Sequence, residues 1–405
     1  MEKTGQNATT NDALHKEEFL KGKTAKGTRR RKVILYTAAA ITALIVLVGA
    51  WAWVTVARTY NGAQPVRIYI PRGADSEAVS KILTDSLGNY GATVARIWRW
   101  RNGNPEVAAG SYVITKGDRA WSVVNRLRFG AQTPIRLTFN NIRTLGDLAS
   151  RISAKMIWDS LAFVNGCAEV LPAMGYDTPE QYIAAFVPDT YEAFWTDSPA
   201  KLIKRLTTVR DAFWNSERRR QAKALDLTPT QVTTLASIVE EETAKGDERP
   251  KVARLYLNRL AIDMPLQADP TVKFAMGDPT LRRITGPMLR TPSPYNTYLK
   301  KGLPPGPIRM PERATIDAVL YAPEHNYIYM CAREDFSGYH NFTADYAVHK
   351  ANGARYRTAL DARGIKWFSS LPDTHHRITR LLRPPTTVRK TTLHPMQKLS
   401  IFQDE

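Results

Sequence analysis

Residues 33–57 read VILYTAAAITALIVLVGAWAWVTVA, a run of 25 residues without a charged side chain. As an α-helix this run would be about 38 Å long, enough to cross a bilayer core of about 30 Å with some tilt. Trp51 and Trp53 lie near its far end, where aromatic side chains favour the membrane surface. The run therefore predicts a single transmembrane helix. A buried core helix and a cleaved signal peptide are the alternatives, and the apolar regions of signal peptides are usually only about 7–15 residues long.

The flanks of this run predict its orientation. Residues 21–32 carry seven Lys or Arg and no acid, whereas after Arg58 the next basic residue is Arg67. Because basic flanks stay on the cytoplasmic side, residues 1–32 are expected to be a cytoplasmic tail and everything after Ala57 to be exported. The predicted location is the inner (cytoplasmic) membrane, with a single pass and an extracytoplasmic C-terminal part.

The composition of the 405 residues limits the remaining classes. With 43% hydrophobic and 23% charged residues, the chain is neither largely disordered nor a polytopic membrane protein, and its length suits two or three folded units. A net charge of +19 favours an anionic partner. Residues 1–32 contribute +5 and residues 365–405 contribute +4. The predicted export and the concentration of positive charge in the two tails argue against nucleic acid as the partner. Residues 365–405 are expected to be a mobile basic tail.

Residues 66–130 have the pattern of a small α+β module. Residues 66–70 alternate like a strand, and a helical pattern follows from Ser76 up to Gly88, a suitable C-cap. A second strand is predicted over 109–114 and a second helix before Gly130. The pattern carries no chemistry by itself, so a spacer is the alternative interpretation.

The segment 228–243, TPTQVTTLASIVEEET, predicts a helix that begins at Pro229 behind a capping box. On a helical wheel of about 100° per residue its aliphatic side chains share one arc. Glu241 projects to the opposite, solvent side and Glu240 to the margin of the arc, whereas Glu242 projects onto the apolar face. Because burial disfavours the charged form, the pKa of Glu242 should be raised, which suits a general acid. The alternative is that this last turn opens to solvent or to an arginine.

Polar side chains on proline-rich loops follow this helix, and amides, hydroxyls and aromatic rings in such loops suit a carbohydrate ligand. The candidates are Gln267, Asp269, Thr271, Tyr295, Asn296 and Thr297. A turn or capping role is the alternative for each of them. Further on, 327–330 is predicted to be a strand, and His340 could bind substrate or move a proton, although a lone His is more often structural.

Metal and cofactor chemistry is not indicated. The two cysteines, Cys167 and Cys331, do not form a disulfide framework or a set of metal ligands, and whether they pair is left open. The chain contains no GxGxxG, Walker A or HExxH motif. No cofactor and no metal are therefore expected.

Several runs together resemble the YceG-like family of endolytic murein transglycosylases. They are FVPDTY (186–191), LASIVEEET (235–243), ER (248–249), VARLYLNRL (252–260), LQADPTVKFAMG (266–277), SPYNTYLKKGLPPGPI (293–308) and YHNFT (339–343). The resemblance spans about residues 66–362. It implies a LysM-like module at 66–130 and a mixed α+β catalytic domain at 134–364.

The same resemblance implies which residues act. The last acid of the family's motif corresponds to Glu242, which the wheel singles out independently, and Glu241 stands where a Lys is frequent. Asn258, Gln267, Asp269, Thr271, Tyr295, Asn296, Thr297 and His340 match motif positions near the cleft, and Glu240 is added as a substrate contact from its place on the wheel.

The implied reaction is cleavage of the MurNAc–GlcNAc bond in nascent glycan strands to leave 1,6-anhydro-MurNAc ends, which would terminate strand elongation. Glycan strands are then the substrate and cell-wall synthases are candidate protein partners. A non-catalytic glycan-binding scaffold and a membrane-tethered nucleic-acid binder remain as alternatives. The acid on the apolar face opposes the first, and the predicted export opposes the second.

Overall fold

The computed structural model describes residues 6–278, 281 and 284–364. The predicted basic tail, 365–405, lies outside the described residues. The architecture is mixed α+β, as the sequence predicts: helices dominate, and the strands of the described part form three separate two-stranded antiparallel sheets.

The N-terminal part is one helix, α1 (Gln6–Ala57). Its segment Arg31–Ala57 is 27 residues long, has a mean hydropathy of 2.4 and is not buried anywhere inside the protein. Leu35, Leu47 and Trp53 are 69%, 67% and 73% exposed. A core helix would be buried, so that alternative is wrong for this segment, whereas a membrane anchor and a signal sequence both fit its length and composition.

The small module follows α1 and has its own core. Its elements are β1 (Val66–Ile70), α2 (Ser76–Trp100), α3 (Pro105–Ala108), β2 (Gly110–Ile114) and α4 (Ala120–Arg128). The strands β1 and β2 pair antiparallel, with Val66 opposite Ile114. The helices cover the sheet through apolar residues that include Val79, Leu83, Val94 and Leu127. This confirms the predicted order of strands and helices, with the short helix α3 added before β2.

Two glycines shape the helices of this module. Gly88 has φ 56° and ψ −136°, so it ends the first half of α2 as predicted, but the helix resumes directly after it. A Cβ at Gly91 would stand 1.9 Å from the Leu83 carbonyl oxygen, which means that the second half of α2 packs closely against the first. Gly130, at φ 59°, accommodates the left-handed turn that ends α4, as predicted.

The larger region begins with two strands and their helices. They are β3 (Ile135–Phe139), α5 (Leu145–Ser153), α6 (Ser160–Val170), β4 (Asp189–Ala193), α7 (Pro199–Phe213) and α8 (Ser216–Ala224). β3 pairs antiparallel with β4, with Ile135 opposite Ala193. Their inward side chains join a hydrophobic core with α5, α6 and α7, which includes the free and buried Cys167.

The second half of this region surrounds α9. Its elements are α9 (Pro229–Glu242), α10 (Arg249–Ala261), α11 (Asp269–Met276), α12 (Arg313–Leu320), β5 (Tyr329–Ala332), β6 (His340–Thr343) and α13 (Tyr346–Ala362). Val232, Leu235, Ile238 and Val239 of α9 are fully buried against α10 and α12. Burial of these side chains, at about 25 cal/mol per Å² of apolar area, fixes α9 in the centre of this core.

The strand predicted at 327–330 is displaced. β5 pairs with β6 from Tyr329 to Ala332, so the strand begins two residues later. The reason is that the Tyr327 and Ile328 carbonyls are taken by side chains of α10: Asn258 donates to the first at 3.0 Å and Arg259 to the second at 2.7 Å.

Candidate active site

Helix α9 begins and ends where its side chains dictate. Thr228 and Gln231 form the predicted capping box, with Pro229 at the first helical position. At the other end Thr243 takes extended backbone angles, φ −138° and ψ 130°, and its hydroxyl donates to Glu248 Oε2 at 3.0 Å. Glu242 is therefore the last helical residue, at the negative end of the helix dipole, where a carboxylate is not favoured.

The carboxyl group of Glu242 is half-buried and held by one neighbour. The hydroxyl of Tyr256, a buried residue of α10, donates to Glu242 Oε1 at 2.9 Å. Among the described residues Oε2 has no hydrogen-bond partner. Burial raises the pKa of Glu242 to about 7, the Tyr256 hydrogen bond opposes this, and the negative charge of Asp269 adds to it. The raised pKa agrees with the wheel, and it leaves the group protonated in a large fraction of molecules at neutral pH.

Arg259 is the cation that acts on this carboxyl group. It lies one helical turn after Tyr256, and its guanidinium donates to the Leu266 carbonyl at 2.5 Å and the Ile328 carbonyl at 2.7 Å. Burial lowers its pKa, and its charge lowers that of Glu242. Sequence reasoning did not select Tyr256 or Arg259. Their i, i+3 spacing on a helix directly after the acidic motif was the available signal.

Two of the residues predicted to bind substrate lie on the open side of the site. Gln267 is exposed, adopts the left-handed region at φ 51°, and donates its backbone N–H to the Thr297 carbonyl at 3.1 Å. A non-glycine residue held in this region is uncommon and is often found at functional sites. Asp269, also exposed, accepts a hydrogen bond of 2.6 Å from the Tyr298 hydroxyl. Burial, followed by this bond, raises the pKa of Tyr298.

Three other residues predicted to bind substrate lie in the protein interior. Thr271, Asn296 and Thr297 are at most 1% exposed. The two threonine hydroxyls are 2.8 Å apart, and the Asn296 amide donates to the Leu289 and Thr291 carbonyls at 2.9 Å. With their polar atoms bonded inside the protein, these side chains hold the segments that carry Gln267 and Tyr298. The geometry thus differs from the predicted direct contact with substrate.

Asn258 and Tyr295 also have internal contacts. The Asn258 amide donates to the His325 and Tyr327 carbonyls at 2.7 and 3.0 Å, which fixes the approach to β5. The half-buried Tyr295 ring packs on Phe274 with the ring centres 4.7 Å apart, and burial raises its pKa to about 12.

The acids before Glu242 have partners inside the protein that the wheel did not predict. Glu240 is buried, and its carboxylate accepts hydrogen bonds from the Glu312 N–H at 2.8 Å and the Thr315 hydroxyl at 2.7 Å. Arg309 Nε lies 3.1 Å from it. The Glu240 carboxylate is therefore bonded inside the protein, whereas the sequence predicts a substrate contact.

Glu241 does not face open solvent. It pairs with Arg309 at 2.7 Å and with Arg143 at 3.5 Å, and its side chain is 19% exposed. The wheel gave the correct side of the helix, but the segment around Arg143 and the loop carrying Arg309 cover that side.

His340 is connected to the end of α9 through Glu248. Its Nδ1 lies 2.7 Å from Glu248 Oε2, and its backbone N–H donates to Glu248 Oε1 at 2.8 Å. Because the same buried carboxylate accepts from Thr243, it joins β6 to the residue directly after Glu242. Glu248 was noted only as part of a motif, and its burial could not be read from the sequence.

Opposite shifts of the Glu242 pKa are expected from two conservative substitutions. Asp269→Asn removes a negative charge and should lower this pKa, whereas Tyr256→Phe removes a hydrogen bond to the carboxylate and should raise it. If Glu242 must be protonated to act, the alkaline limb of kcat/KM moves to lower pH in the first variant and to higher pH in the second. Shifts in the same direction would contradict this assignment.

The described part of the chain contains no group of three or more His, Cys, Asp or Glu side chains placed to hold a metal ion. Cys331, like Cys167, is a free thiol in this structure.

Comparison with known proteins identifies relatives of this chain. A model of the YceG-like family matches residues 68–355. An endolytic murein transglycosylase of Bacillus subtilis (strain 168) is 25% identical over 286 residues, which cover 67% of this chain and 79% of the relative. One from Streptococcus pneumoniae serotype 2 (strain D39) is 33% identical over 304 residues, which cover 67% of this chain but only 55% of the relative. A crystal structure of a yceG-like protein from Listeria monocytogenes aligns with a TM-score of 0.48 and 24% identity, covering 72% of this chain and 99% of that one.

Proposed function

Because the chain belongs to the YceG-like family, we propose that it is an endolytic murein transglycosylase, anchored in the membrane by α1, that cleaves the MurNAc–GlcNAc bond of nascent glycan strands. The relatives' names support the reaction class. The observation that carries the proposal is Glu242, a half-buried acid with a pKa of about 7 at the end of a central helix.

One carboxyl group suffices for this reaction. Protonated Glu242 gives its proton to the glycosidic oxygen as the bond from C1 of the muramic acid breaks. The C6 hydroxyl of the same sugar then forms the new bond to C1 and loses its proton to the Glu242 carboxylate. Glu242 ends protonated again, and no water is consumed. Hydrolases normally need a second carboxyl group for water or for a covalent intermediate, whereas here the nucleophile belongs to the substrate and gains from proximity.

The neighbours of Glu242 fit these two roles. The Tyr256 hydrogen bond occupies Oε1, so the transferable proton is carried by Oε2. Arg259 and Tyr256 stabilise the Glu242 carboxylate after the first transfer, and the negative charge of Asp269 opposes their lowering of the Glu242 pKa. We assign Gln267 and Asp269, both exposed, to direct contact with the glycan and His340 to the edge of the cleft.

The reaction is tested with purified chain and isolated murein in water enriched in ¹⁸O. The expected products carry 1,6-anhydro ends without ¹⁸O, and fragments of intermediate length appear first because cleavage is internal. Incorporation of ¹⁸O would identify a hydrolase, and binding without any product would identify a glycan-binding scaffold.

The predicted orientation has its own test. A reporter that is active only outside the cytoplasm should be active when fused after residue 405 and inactive when fused before Arg29, because seven basic residues precede the apolar run. Activity of a cytoplasm-only reporter at the C-terminus would contradict the topology, and release of the processed chain from the membrane would indicate a cleaved signal peptide.

We also propose that residues 66–130 are a LysM-like module that binds glycan. A chain lacking this module should be retained less on murein sacculi, while its turnover of short soluble glycans should change less. Unchanged retention on sacculi would support a spacer instead.

A further inference from the structure

The small module is attached to the end of α1 without a spacer. Thr55, Val56 and Ala57 are half-buried, in contrast to the fully exposed turns before them. Val56 packs against the core of the module, and α1 contacts α4. The Ala120 N–H donates to the Arg58 carbonyl at 2.8 Å. Any surface that α1 enters must therefore lie against this side of the module.

Further contacts hold this attachment rigid. The Gly117 N–H donates to the Tyr60 carbonyl at 2.8 Å, and the Arg58 guanidinium donates to the Thr93 hydroxyl at 3.1 Å. Thr59 forms an isolated antiparallel bridge with Arg119. The start of α4 and the second half of α2 are thus fixed beside the last turn of α1.

Aromatic and basic side chains are concentrated on these same elements. The Arg101 guanidinium lies 4.2 Å from the centre of the Trp121 ring, and the neighbouring Trp100 is 73% exposed. Arg119 is also exposed. We refer to Trp100, Arg101, Arg119 and Trp121 as the docking face. Exposed tryptophan is costly in water, but at a membrane surface its ring lies among the headgroups, and arginine pairs with lipid phosphates.

The charge of the module matches such a surface. Residues 58–130 contain 11 Arg or Lys and 5 Asp or Glu, and the segment 96–101, RIWRWR, holds three of the arginines. No acid lies in 86–105, the second half of α2 and the turn after it. Anionic lipid attracts basic side chains that lie within a Debye length of about 8–10 Å of the bilayer. The attachment holds the start of α4, which Arg119 directly precedes, beside the last turn of α1.

We propose that the docking face lies on anionic phospholipid headgroups of the membrane that α1 crosses, so that the module rests on the bilayer. The inference depends on the anchoring proposed above. The catalytic region contacts the module through β1 and the turn after it, where the Arg72 guanidinium donates to the Thr196 carbonyl at 2.8 Å and Tyr69 packs on Trp195. Cleavage would take place at a fixed height above the membrane.

The test uses the full chain reconstituted in vesicles of phosphatidylcholine, with or without an equal amount of phosphatidylglycerol. An environment-sensitive fluorophore is placed by Ser122→Cys beside Trp121, and in the matched control by Ser76→Cys at the start of α2, four residues after Arg72. Both serines are exposed. Cys331→Ser removes the half-buried thiol, and Cys167 is fully buried and should not react.

Lipid carrying a doxyl quencher near the headgroup should quench the label at position 122 in the anionic vesicles and leave the label at 76 bright. Arg101→Glu with Arg119→Glu should release the module. Each basic side chain near an anionic surface is worth about a fivefold change in the docking equilibrium. Lys204→Glu with Lys223→Glu changes the net charge equally on α7 and α8, outside the module, and should have no effect.

Each other outcome overturns the inference. If alkaline washing shows that α1 is inserted but the label at position 122 is not quenched, the anchor is intact and docking is excluded. Equal quenching at 122 and 76 excludes this face in particular. If the double reversal weakens retention on murein sacculi but leaves quenching unchanged, the face binds glycan and not lipid. A chain that alkaline washing removes lacks the anchor itself.

Discussion

Glu242→Gln is expected to abolish the formation of 1,6-anhydro ends while the protein remains folded. Glutamine preserves the shape and can still accept the hydrogen bond from Tyr256, but it can neither give a proton to the leaving oxygen nor take one from the C6 hydroxyl. General acid–base help is typically worth about 10²–10⁴-fold in rate, and the loss should lie at or above the upper end because one residue serves both steps. Product analysis on murein measures it.

The same substitution should increase stability above neutral pH. The pKa of Glu242 is about 7 in the folded protein against an ordinary 4.5, so between these values the folded chain binds a proton that the unfolded chain has lost. The free energy of unfolding therefore falls as pH rises through this window, by about 3 kcal/mol at most. A glutamine cannot ionise, and after allowance for the partly exposed carboxyl the variant should gain about 2 kcal/mol at pH 8.

Thermal melting at two pH values separates this effect from general stabilisation. At about 2–4 °C per kcal/mol, Glu242→Gln should melt several degrees above the wild type at pH 8, and the difference should shrink at pH 5. An active Glu242→Gln enzyme would refute the catalytic assignment. A stabilisation independent of pH would refute the burial argument while leaving the catalytic one standing.

Glu240→Ala is expected to have the opposite profile, a large loss of stability with little change in chemistry per folded molecule. Its buried carboxylate binds the Glu312 N–H and the Thr315 hydroxyl and lies 3.1 Å from Arg309 and 3.9 Å from Arg249. Removing one member of a buried charge cluster leaves the others uncompensated and costs about 3–5 kcal/mol. The melting temperature should fall by about 6–20 °C.

Glu241→Ala is the matched control, because Glu241 shares Arg309 with Glu240 but is 19% exposed. Arg309 would keep Glu240 and the Asn141 side chain as partners, so a loss of about 1 kcal/mol is expected. Both variants are compared with the wild type in detergent by thermal melting and by product formation. If Glu240→Ala remained stable but lost activity, Glu240 would be a substrate contact, as the sequence suggested.

The buried side chains explain where prediction from sequence was limited. Patterns with a local cause were read correctly: the capping box of α9, the glycine turns after α4 and within α2, and the apolar face that Val232, Leu235 and Ile238 form on α9. A local pattern could not distinguish Gln267, which is exposed, from Thr271 and Thr297, which are interior. All three lie in similar proline-bounded segments, and only the packing of those segments against each other decides which polar side chains are hydrogen-bonded inside the protein.

The sequence by itself determined the apolar helix, the strands and helices of the small module and the position of Glu242 in the last turn of α9, because each depends on periodicity and on capping within a few residues. The tertiary structure alone decided the partners of the three glutamates. Other segments bring these partners to α9. Tyr256 donates to Glu242, Arg309 pairs with both Glu240 and Glu241, and Glu248 accepts a hydrogen bond from Thr243. A helical wheel gives the direction of a side chain, but its pKa and its role depend on the charges and donors that the rest of the fold places in that direction.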